Sequence, residues 1–147
     1  MIMTGIDVTE PVPAPSPARR RAGRALTIVI ALLVGLADWL VCTVILRMDL
    51  MVDQGTGPSA VQPGLVSAAP ILSGLTGWAL LAILERISAR RGDRALGTRI
   101  WTIIAIVVCL LSCFSPIVMA LSVPTAIALV SMHLLVGATL IVGLRRR

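Results

Sequence analysis

Four apolar runs separated by clusters of arginine constrain the fold of this chain more than any other feature. Each run is 20 to 22 residues long, and Asp38 is the only formally charged residue within them. The runs are residues 26–46, 65–84, 100–121 and 125–144. A helix of about 20 mostly apolar residues crosses the ~30 Å hydrocarbon core of a bilayer, whereas a soluble amphipathic helix carries charge on its wet face. The runs therefore predict an all-α membrane protein, a four-transmembrane-helix antiparallel bundle.

The arginines are distributed unevenly between the two sides of such a bundle. All 13 basic residues are arginine, and when the four spans alternate in direction only Arg47 falls on the side that holds residues 47–64. The others lie before the first run, between the second and third, and after the fourth: Arg19, Arg20, Arg21, Arg24, Arg86, Arg90, Arg91, Arg94, Arg99, Arg145, Arg146 and Arg147. Because arginine-rich loops remain in the cytoplasm, this pattern predicts that both termini are cytoplasmic.

Charge and cysteine content limit the partners and cofactors to be expected. The net charge of +6 does not indicate a nucleic-acid partner, because the arginines flank apolar spans and no nucleic-acid-binding motif is present. Anionic lipid headgroups account for it, so the expected partner is the lipid bilayer, with a homo-oligomer or a membrane partner left open. Cys42, Cys109 and Cys113 all lie inside spans. An odd number of cysteines there argues against disulfides or zinc, and no cofactor or metal is expected.

Two segments outside the four runs are rich in proline or glycine. The N-terminal segment alternates proline with other residues, at Pro11, Pro13, Pro15 and Pro17. Such alternation blocks helix and sheet, so we predict a disordered, Pro-rich cytoplasmic tail over residues 1–23 and a transmembrane domain over residues 24–147. Residues 47–64 contain glycine and proline throughout, and this connection can form either a cap over the bundle or a loose linker.

Polar and weakly polar residues share one depth in the four predicted spans. Asp38, Ser73, Cys113 and His133 each lie eight residues from the same end of their spans, and Ser112 precedes Cys113. At 1.5 Å per residue this depth is about 12 Å. A charged side chain near the bilayer centre costs about 2.5–3.5 kcal/mol, so we expect Asp38 to face the bundle interior. His133 is the only imidazole in the spans, and we expect it to lie within direct or water-bridged hydrogen-bond reach of Asp38.

This polar layer is compatible with four roles: structural hydrogen bonding between spans, a ligand, lipid or quinone pocket, proton relay, and acid–base catalysis. One His and one Asp do not define a reaction, so no catalytic residue is assigned and an enzyme is not the favoured interpretation. The leading hypothesis is a non-enzymatic membrane protein that binds a small apolar, lipid-like ligand or a membrane partner. The alternatives are a small proton-coupled transporter that uses Asp38 and His133, and a membrane-embedded enzyme acting on a lipid or quinone.

Two features of the spans predict how the helices pack. Small residues spaced four apart on the second span, Ala69, Ser73 and Gly77, form a stripe that we expect to face another helix, because small residues let helices approach closely in lipid. On the third span, Pro116 cannot donate a hydrogen bond to the carbonyl of Ser112, which predicts a kink or a polar gap.

Several short motifs resemble one family of membrane proteins. They are G-W-A-L-L-A-x-L-E-R at residues 77–86, I-W-T at residues 100–102 and M-H-L at residues 132–134. Together they resemble a group of small four-pass proteins of high-GC, actinobacterial-type bacteria that is catalogued only as a domain of unknown function. The resemblance covers about residues 24–147 and implies four spans in a bacterial cytoplasmic membrane, without an activity. The positions that the group's pattern features are Asp38, Trp78, Glu85, Arg86, Trp101 and His133.

Overall fold

The computed structural model describes residues 16–146, which form helices and one small hairpin. The elements are α1 (Pro17–Leu40) with a π-helical continuation (Val41–Ile45), β1 (Met51–Asp53), β2 (Pro58–Ala60), α2 (Pro63–Arg90), α3 (Arg94–Ser112), α4 (Phe114–Met119) and α5 (Val123–Arg146). Four helical stretches are long and apolar enough to cross a membrane: Ala18–Ile45, Pro63–Arg90, Ala95–Met119 and Val123–Arg145. The predicted all-α, four-transmembrane-helix bundle is confirmed, and the chain is a multi-pass membrane protein.

The four spans form a ring in which each packs against two others. Helix α1 lies against α2 and α5, and α3 lies against the same two helices. Consecutive spans run in opposite directions, so the hairpin and the α4–α5 turn lie at one end, called the hairpin end below. The α2–α3 turn and the ends of the described chain lie at the opposite end, called the terminal end.

The helices extend beyond the predicted spans at the terminal end. Helix α1 begins at Pro17, where Ser16 caps it by accepting a hydrogen bond from the backbone N–H of Arg19 (3.4 Å) and proline fits the first helical position. The predicted disorder is therefore wrong for residues 17–23, while residues 1–15 of the predicted tail lie outside the described residues. Likewise α2 continues beyond the predicted span to Arg90. Its last turns carry arginine, whose charged head group stays in water, so this part of the helix lies outside the hydrocarbon core.

A tight turn joins α2 to α3. Gly92 has a φ of +82°, a left-handed conformation that glycine adopts without steric cost. The side chain of Asp93 then accepts hydrogen bonds from the backbone N–H groups of Ala95 (3.0 Å) and Leu96 (3.1 Å), which caps α3. A Cβ atom at Gly97 would lie 2.7 Å from the carbonyl oxygen of Leu84. The absence of a side chain at that position lets α3 lie directly against α2.

The predicted kink in the third span is confirmed. Helix α3 ends at Ser112, and a separate helix α4 begins at Phe114 and contains Pro116. Proline has no N–H group to donate to the carbonyl of Ser112, so the regular helix is interrupted at Cys113.

Residues 47–64 form a cap over the bundle, which decides between the two alternatives. Strands β1 and β2 pair antiparallel, with Val52 opposite Ser59. The chain reverses between them where Asp53 accepts hydrogen bonds from the backbone N–H groups of Gly55 (2.8 Å) and Gly57 (3.2 Å). Val52 is buried and also bridges to Ala120. The hairpin therefore ties the first connection to the α4–α5 turn.

Clusters of buried residues lie at both ends of the bundle. Leu81, Trp101 and Leu144 are buried at the terminal end in one cluster, and the indole Nε1 of Trp101 donates a hydrogen bond to the carbonyl oxygen of Gly77 (2.8 Å). At the hairpin end a second cluster consists of Val52, Val66, Leu129 and Met132.

The small-residue stripe on α2 that was expected to face another helix does not contact α1. Ala69 and Ser73 are exposed, and the prediction is wrong for both, although Gly77 does lie near Trp101 and Leu144. Helix α2 instead packs against α1 through an adjacent stripe with the same spacing: Val66, Pro70 and Gly74. The two stripes are one helical position apart, and a pattern of small residues does not distinguish between them because lipid and protein interior are equally apolar.

Candidate functional site

A lateral cavity of about 440 Å³ lies between α2, α3 and α5. Its walls include five exposed residues on α2 and α3: Ala69, Ser73, Thr76, Ile104 and Val108. Because these side chains are accessible from outside the bundle, we infer that the mouth of the cavity lies at α2 and α3, within segments that are long and apolar enough to cross the bilayer. Trp101 and Leu144, both buried, close the cavity toward the terminal end. A molecule dissolved in the membrane can therefore reach the site from the side.

The cavity wall is mainly apolar, with a few polar or weakly polar groups. Most of its surface comes from aliphatic side chains of the three helices, among them Val66, Leu80, Val136, Leu140 and Ile141. The polar and sulfur-containing side chains on the wall are Ser73, Thr76, Cys109, Ser112, Met132 and His133, and Trp101 adds an indole. No carboxylate or guanidinium group of the described residues lines this cavity.

His133 presents one ring nitrogen to its own helix and leaves the other free. Its Nδ1 lies 2.7 Å from the carbonyl oxygen of Leu129. A carbonyl oxygen only accepts, so Nδ1 carries the proton and donates. Within residues 16–146, Nε2 has no hydrogen-bond partner, and no buried side-chain nitrogen or oxygen lacks one. Nε2 is therefore accessible rather than enclosed in the packed core.

The three hydroxyl groups of the wall are bonded to their own helices. Their acceptors are backbone carbonyl oxygens: Ala69 for Ser73 (2.7 Å), Leu72 for Thr76 (2.8 Å) and Cys109 for Ser112 (2.7 Å). Each hydroxyl uses its single proton in this bond and keeps lone pairs that can accept. Serine and threonine satisfy themselves in this way inside lipid, where water is absent.

The wall that carries His133 is held by a close contact between α3 and α5. Gly137 lies against Cys109, and a Cβ atom at this glycine would overlap the Cys109 sulfur. That sulfur lies 3.8 Å from the carbonyl oxygen of His133, a distance that suits a weak thiol donor. The contact fixes the distance of α5 from α3 beside the cavity and thereby positions His133.

The structure separates the predicted polar layer into two parts. Ser73, Ser112 and His133 line the cavity together, as a shared depth suggested, while Cys113 is buried outside its wall. Asp38 also lies outside the wall, and its carboxylate accepts a long hydrogen bond from the Ser131 hydroxyl (3.5 Å). Among the described residues no direct hydrogen bond joins Asp38 to His133. Ser131 precedes His133 by two positions, about 200° around the helix, so the two face different sides of α5.

A partly buried ion pair connects α1 and α2 at the terminal end. Arg24 Nη2 lies 2.7 Å from Glu85 Oε1, with the arginine side chain 11% exposed and the glutamate 37% exposed. Next to it on α1, Thr27 is buried and its hydroxyl donates to the carbonyl of Gly23 (3.1 Å). Arg24 thus has a structural role in addition to its place in the arginine cluster.

Comparison with known proteins defines the family of the chain. A model of a family of unknown function, DUF6069, matches residues 15–147. The chain belongs to this family. No curated protein and no solved structure matches it. The match extends over all four spans of this DUF6069 protein, and therefore over the complete cavity wall.

Four polar, sulfur-containing or aromatic residues of the DUF6069 cavity wall lie outside the predicted polar layer: Thr76, Trp101, Cys109 and Met132. Thr76 follows Ser73 by three positions and shares its helix face, which is a signal that could have added it to the polar layer. Cys109 precedes Cys113 by one helical turn in the same way. Trp101 was noted only as a position in the family's pattern, and nothing in the sequence marks it as the closed end of a cavity.

Proposed function

We propose that this protein binds a small apolar, lipid-like molecule in the lateral cavity and acts by binding rather than by catalysis. The observation that carries the proposal is an apolar cavity of about 440 Å³ that opens into the bilayer. This volume lies within the range of about 300–1,000 Å³ that small-molecule sites occupy, and an apolar wall with a few polar groups is typical of them. A ligand that partitions into the membrane reaches the mouth by lateral diffusion.

The arrangement of polar groups gives the two alternatives less support. A proton-coupled transporter built on Asp38 and His133 needs both in one pathway, but Asp38 lies outside the cavity wall. A membrane-embedded enzyme needs a nucleophile or a base within reach of a partner group. The wall's hydroxyl groups and the Nδ1 of His133 are bonded to backbone carbonyls of their own helices, and no second side chain of the described residues is hydrogen-bonded to the free Nε2. This geometry favours ligand binding.

Filling the cavity should remove the ligand. Ala69 is exposed at the cavity wall, whereas its neighbour Ala68 is exposed but outside the wall, so the same substitution at the two positions forms a matched pair. We expect native mass spectrometry from mild detergent to show a retained small molecule on the wild type and on Ala68→Phe. We expect at least a 10-fold lower occupancy on Ala69→Phe, because the phenyl ring occupies the ligand's volume.

Two results would contradict the binding proposal in that experiment. One is equal occupancy of Ala68→Phe and Ala69→Phe, which would place the molecule on the general lipid-facing surface. The other is a wild type that carries no small molecule while both variants keep the same unfolding temperature. The same spectra report stoichiometry, so a homo-oligomer or a membrane partner would appear as a higher mass.

The distribution of arginines supports a bacterial cytoplasmic membrane as the location, with both termini cytoplasmic and the β1–β2 hairpin outside. An introduced cysteine at Ser59, an exposed residue of β2, in a background without Cys42, Cys109 and Cys113 tests this orientation. We expect a membrane-impermeant maleimide to label it in intact cells. Labelling only after the membrane is opened would reverse the proposed orientation.

A further inference from the structure

The cavity wall offers hydrogen-bond acceptors but almost no donors. The hydroxyl protons of Ser73, Thr76 and Ser112 are bonded to carbonyl oxygens of their own helices, at 2.7, 2.8 and 2.7 Å. The indole N–H of Trp101 is bonded to the carbonyl of Gly77 at 2.8 Å. Each of these side chains has therefore used its donor, while the hydroxyl oxygens keep free lone pairs.

His133 provides the strongest acceptor of the wall. Because Nδ1 donates to the carbonyl of Leu129 (2.7 Å), the proton of the uncharged ring is on Nδ1 and the lone pair is on Nε2. No carboxylate of the described residues lines the cavity beside the ring. Nε2 has no partner within residues 16–146.

We propose that this cavity selects membrane-soluble molecules whose polar end donates a hydrogen bond, such as a phenol, quinol or alcohol with an apolar tail, and that Nε2 of His133 accepts that bond. This inference rests on the proposed function. A ligand whose polar end only accepts, such as a quinone, ketone, ether or ester, meets lone pairs and no free N–H or O–H group. An unpaired polar group in an apolar site loses the stabilisation of its bond.

Two probes that differ only in one donor test the selectivity. 4-Dodecylphenol and 4-dodecylanisole share the ring and the tail, but the second carries a methyl ether in place of the hydroxyl. Binding is followed in dodecylmaltoside micelles by the rise in unfolding temperature with probe concentration. We expect the phenol to bind the wild type about 10-fold more tightly, the difference that one hydrogen bond in an apolar site provides.

Variants of two α5 residues assign the preference to His133. His133→Leu removes the acceptor and keeps an apolar side chain, so we expect both probes to bind it equally. Thr139→Val is the control, because the Thr139 hydroxyl is bonded to the carbonyl of Leu135 (2.7 Å) and this residue lies outside the cavity wall. We expect the control to retain the 10-fold preference. A preference that survives in His133→Leu would overturn the role of Nε2.

A measurement without substitution keeps the inference testable if His133→Leu does not fold. His133 is the single histidine of the chain, so ¹⁵N-histidine labelling gives one pair of ring resonances. We expect the wild type to show a protonated Nδ1 and an unprotonated Nε2. The phenol should shift the Nε2 resonance upfield, and the anisole should leave it unchanged. A proton on Nε2 in the free protein, or equal shifts with both probes, would overturn the inference.

Failure of the selectivity is distinguishable from failure of ligand binding. If both probes bind the wild type equally and Ala69→Phe weakens the binding of both, the cavity binds ligands but does not select those that donate a hydrogen bond. The inference about selectivity is then wrong, while the proposed function stands. If neither probe distinguishes the wild type from Ala69→Phe, the cavity is not a ligand site and both proposals are wrong.

Discussion

Gly143→Val is expected to lower the free energy of unfolding in detergent by about 3 kcal/mol, or to prevent assembly of the bundle. Gly143 on α5 lies directly against Thr27 on α1, and a Cβ atom there would overlap the threonine methyl group and lie too close to its hydroxyl. Thr27 is buried, β-branched and bonded to the carbonyl of Gly23 (3.1 Å). It cannot rotate away without losing that bond, so the two helices must separate.

The same substitution at an open glycine is the control. Gly64 lies near the start of α2, and a Cβ atom there would meet nothing within 4 Å. Gly64→Val should therefore change the free energy of unfolding by about 0.5 kcal/mol or less. Denaturation in detergent, followed by circular dichroism, measures both variants. Similar losses at the two positions would contradict a close approach of α1 and α5 at Gly143.

Trp101→Ala is expected to have the second large effect, a loss of about 3–5 kcal/mol. The side chain is 2% exposed and packs with Leu81 and Leu144. Its removal leaves a void at the closed end of the cavity and also removes the hydrogen bond from Nε1 to the carbonyl of Gly77 (2.8 Å). Trp101→Phe keeps most of the packing and loses that bond, so we expect a smaller loss of about 1 kcal/mol.

A lipid-facing residue of the same helix controls for the general effect of truncation. Ile103 is 64% exposed on α3, and Ile103→Ala should alter the free energy of unfolding by less than about 0.5 kcal/mol. The free energies of unfolding in detergent are compared. Intrinsic fluorescence follows the unfolding of Ile103→Ala, and circular dichroism follows that of the tryptophan variants. If Trp101→Ala were as mild as Ile103→Ala, Trp101 would not be a core residue.

The number and positions of the spans could be predicted from the sequence because lipid imposes a length and excludes charge. Which side of each helix faces a neighbour could not be predicted by the same means. Leu81 is wholly buried and Ile83 is 54% exposed, yet both are aliphatic, because in a membrane the exterior of the protein is as apolar as its core. Hydropathy therefore loses the contrast that marks the buried face in soluble proteins.

The candidate site illustrates the same limit. Counting residues from the span ends places Asp38, Ser73, Cys113 and His133 at one depth, with Ser112 beside Cys113. The structure brings Ser73, Ser112 and His133 to one cavity and leaves Asp38 and Cys113 outside its wall. Depth carries no information about rotation around the helix axis, and among the described residues no direct hydrogen bond joins Asp38 to His133. The hydroxyl that donates to Asp38 belongs to Ser131, which lies two positions before His133 in the sequence. Polar composition alone does not show which of these two residues faces Asp38.

Only part of the hydrogen-bonding pattern of the cavity wall could be predicted from the sequence. A serine or threonine in a lipid-spanning helix is expected to bond to a carbonyl of the preceding turn. The tautomer of His133 follows only from the 2.7 Å distance between Nδ1 and the carbonyl oxygen of Leu129. The proposed preference of the cavity for ligands that donate a hydrogen bond depends on this distance.

Photoaffinity labelling in membranes tests the central claim, ligand binding in the lateral cavity, most directly. A long-chain alcohol with a diazirine in its tail is irradiated with the protein, and the adducts are located by peptide mass spectrometry. The account predicts that adducts concentrate on the cavity wall, near Ser73, Val108 and Val136, and disappear in Ala69→Phe but not in Ala68→Phe. Adducts of equal yield at the lipid-facing residues Leu33, Val44 and Ile103, unaffected by Ala69→Phe, would contradict it.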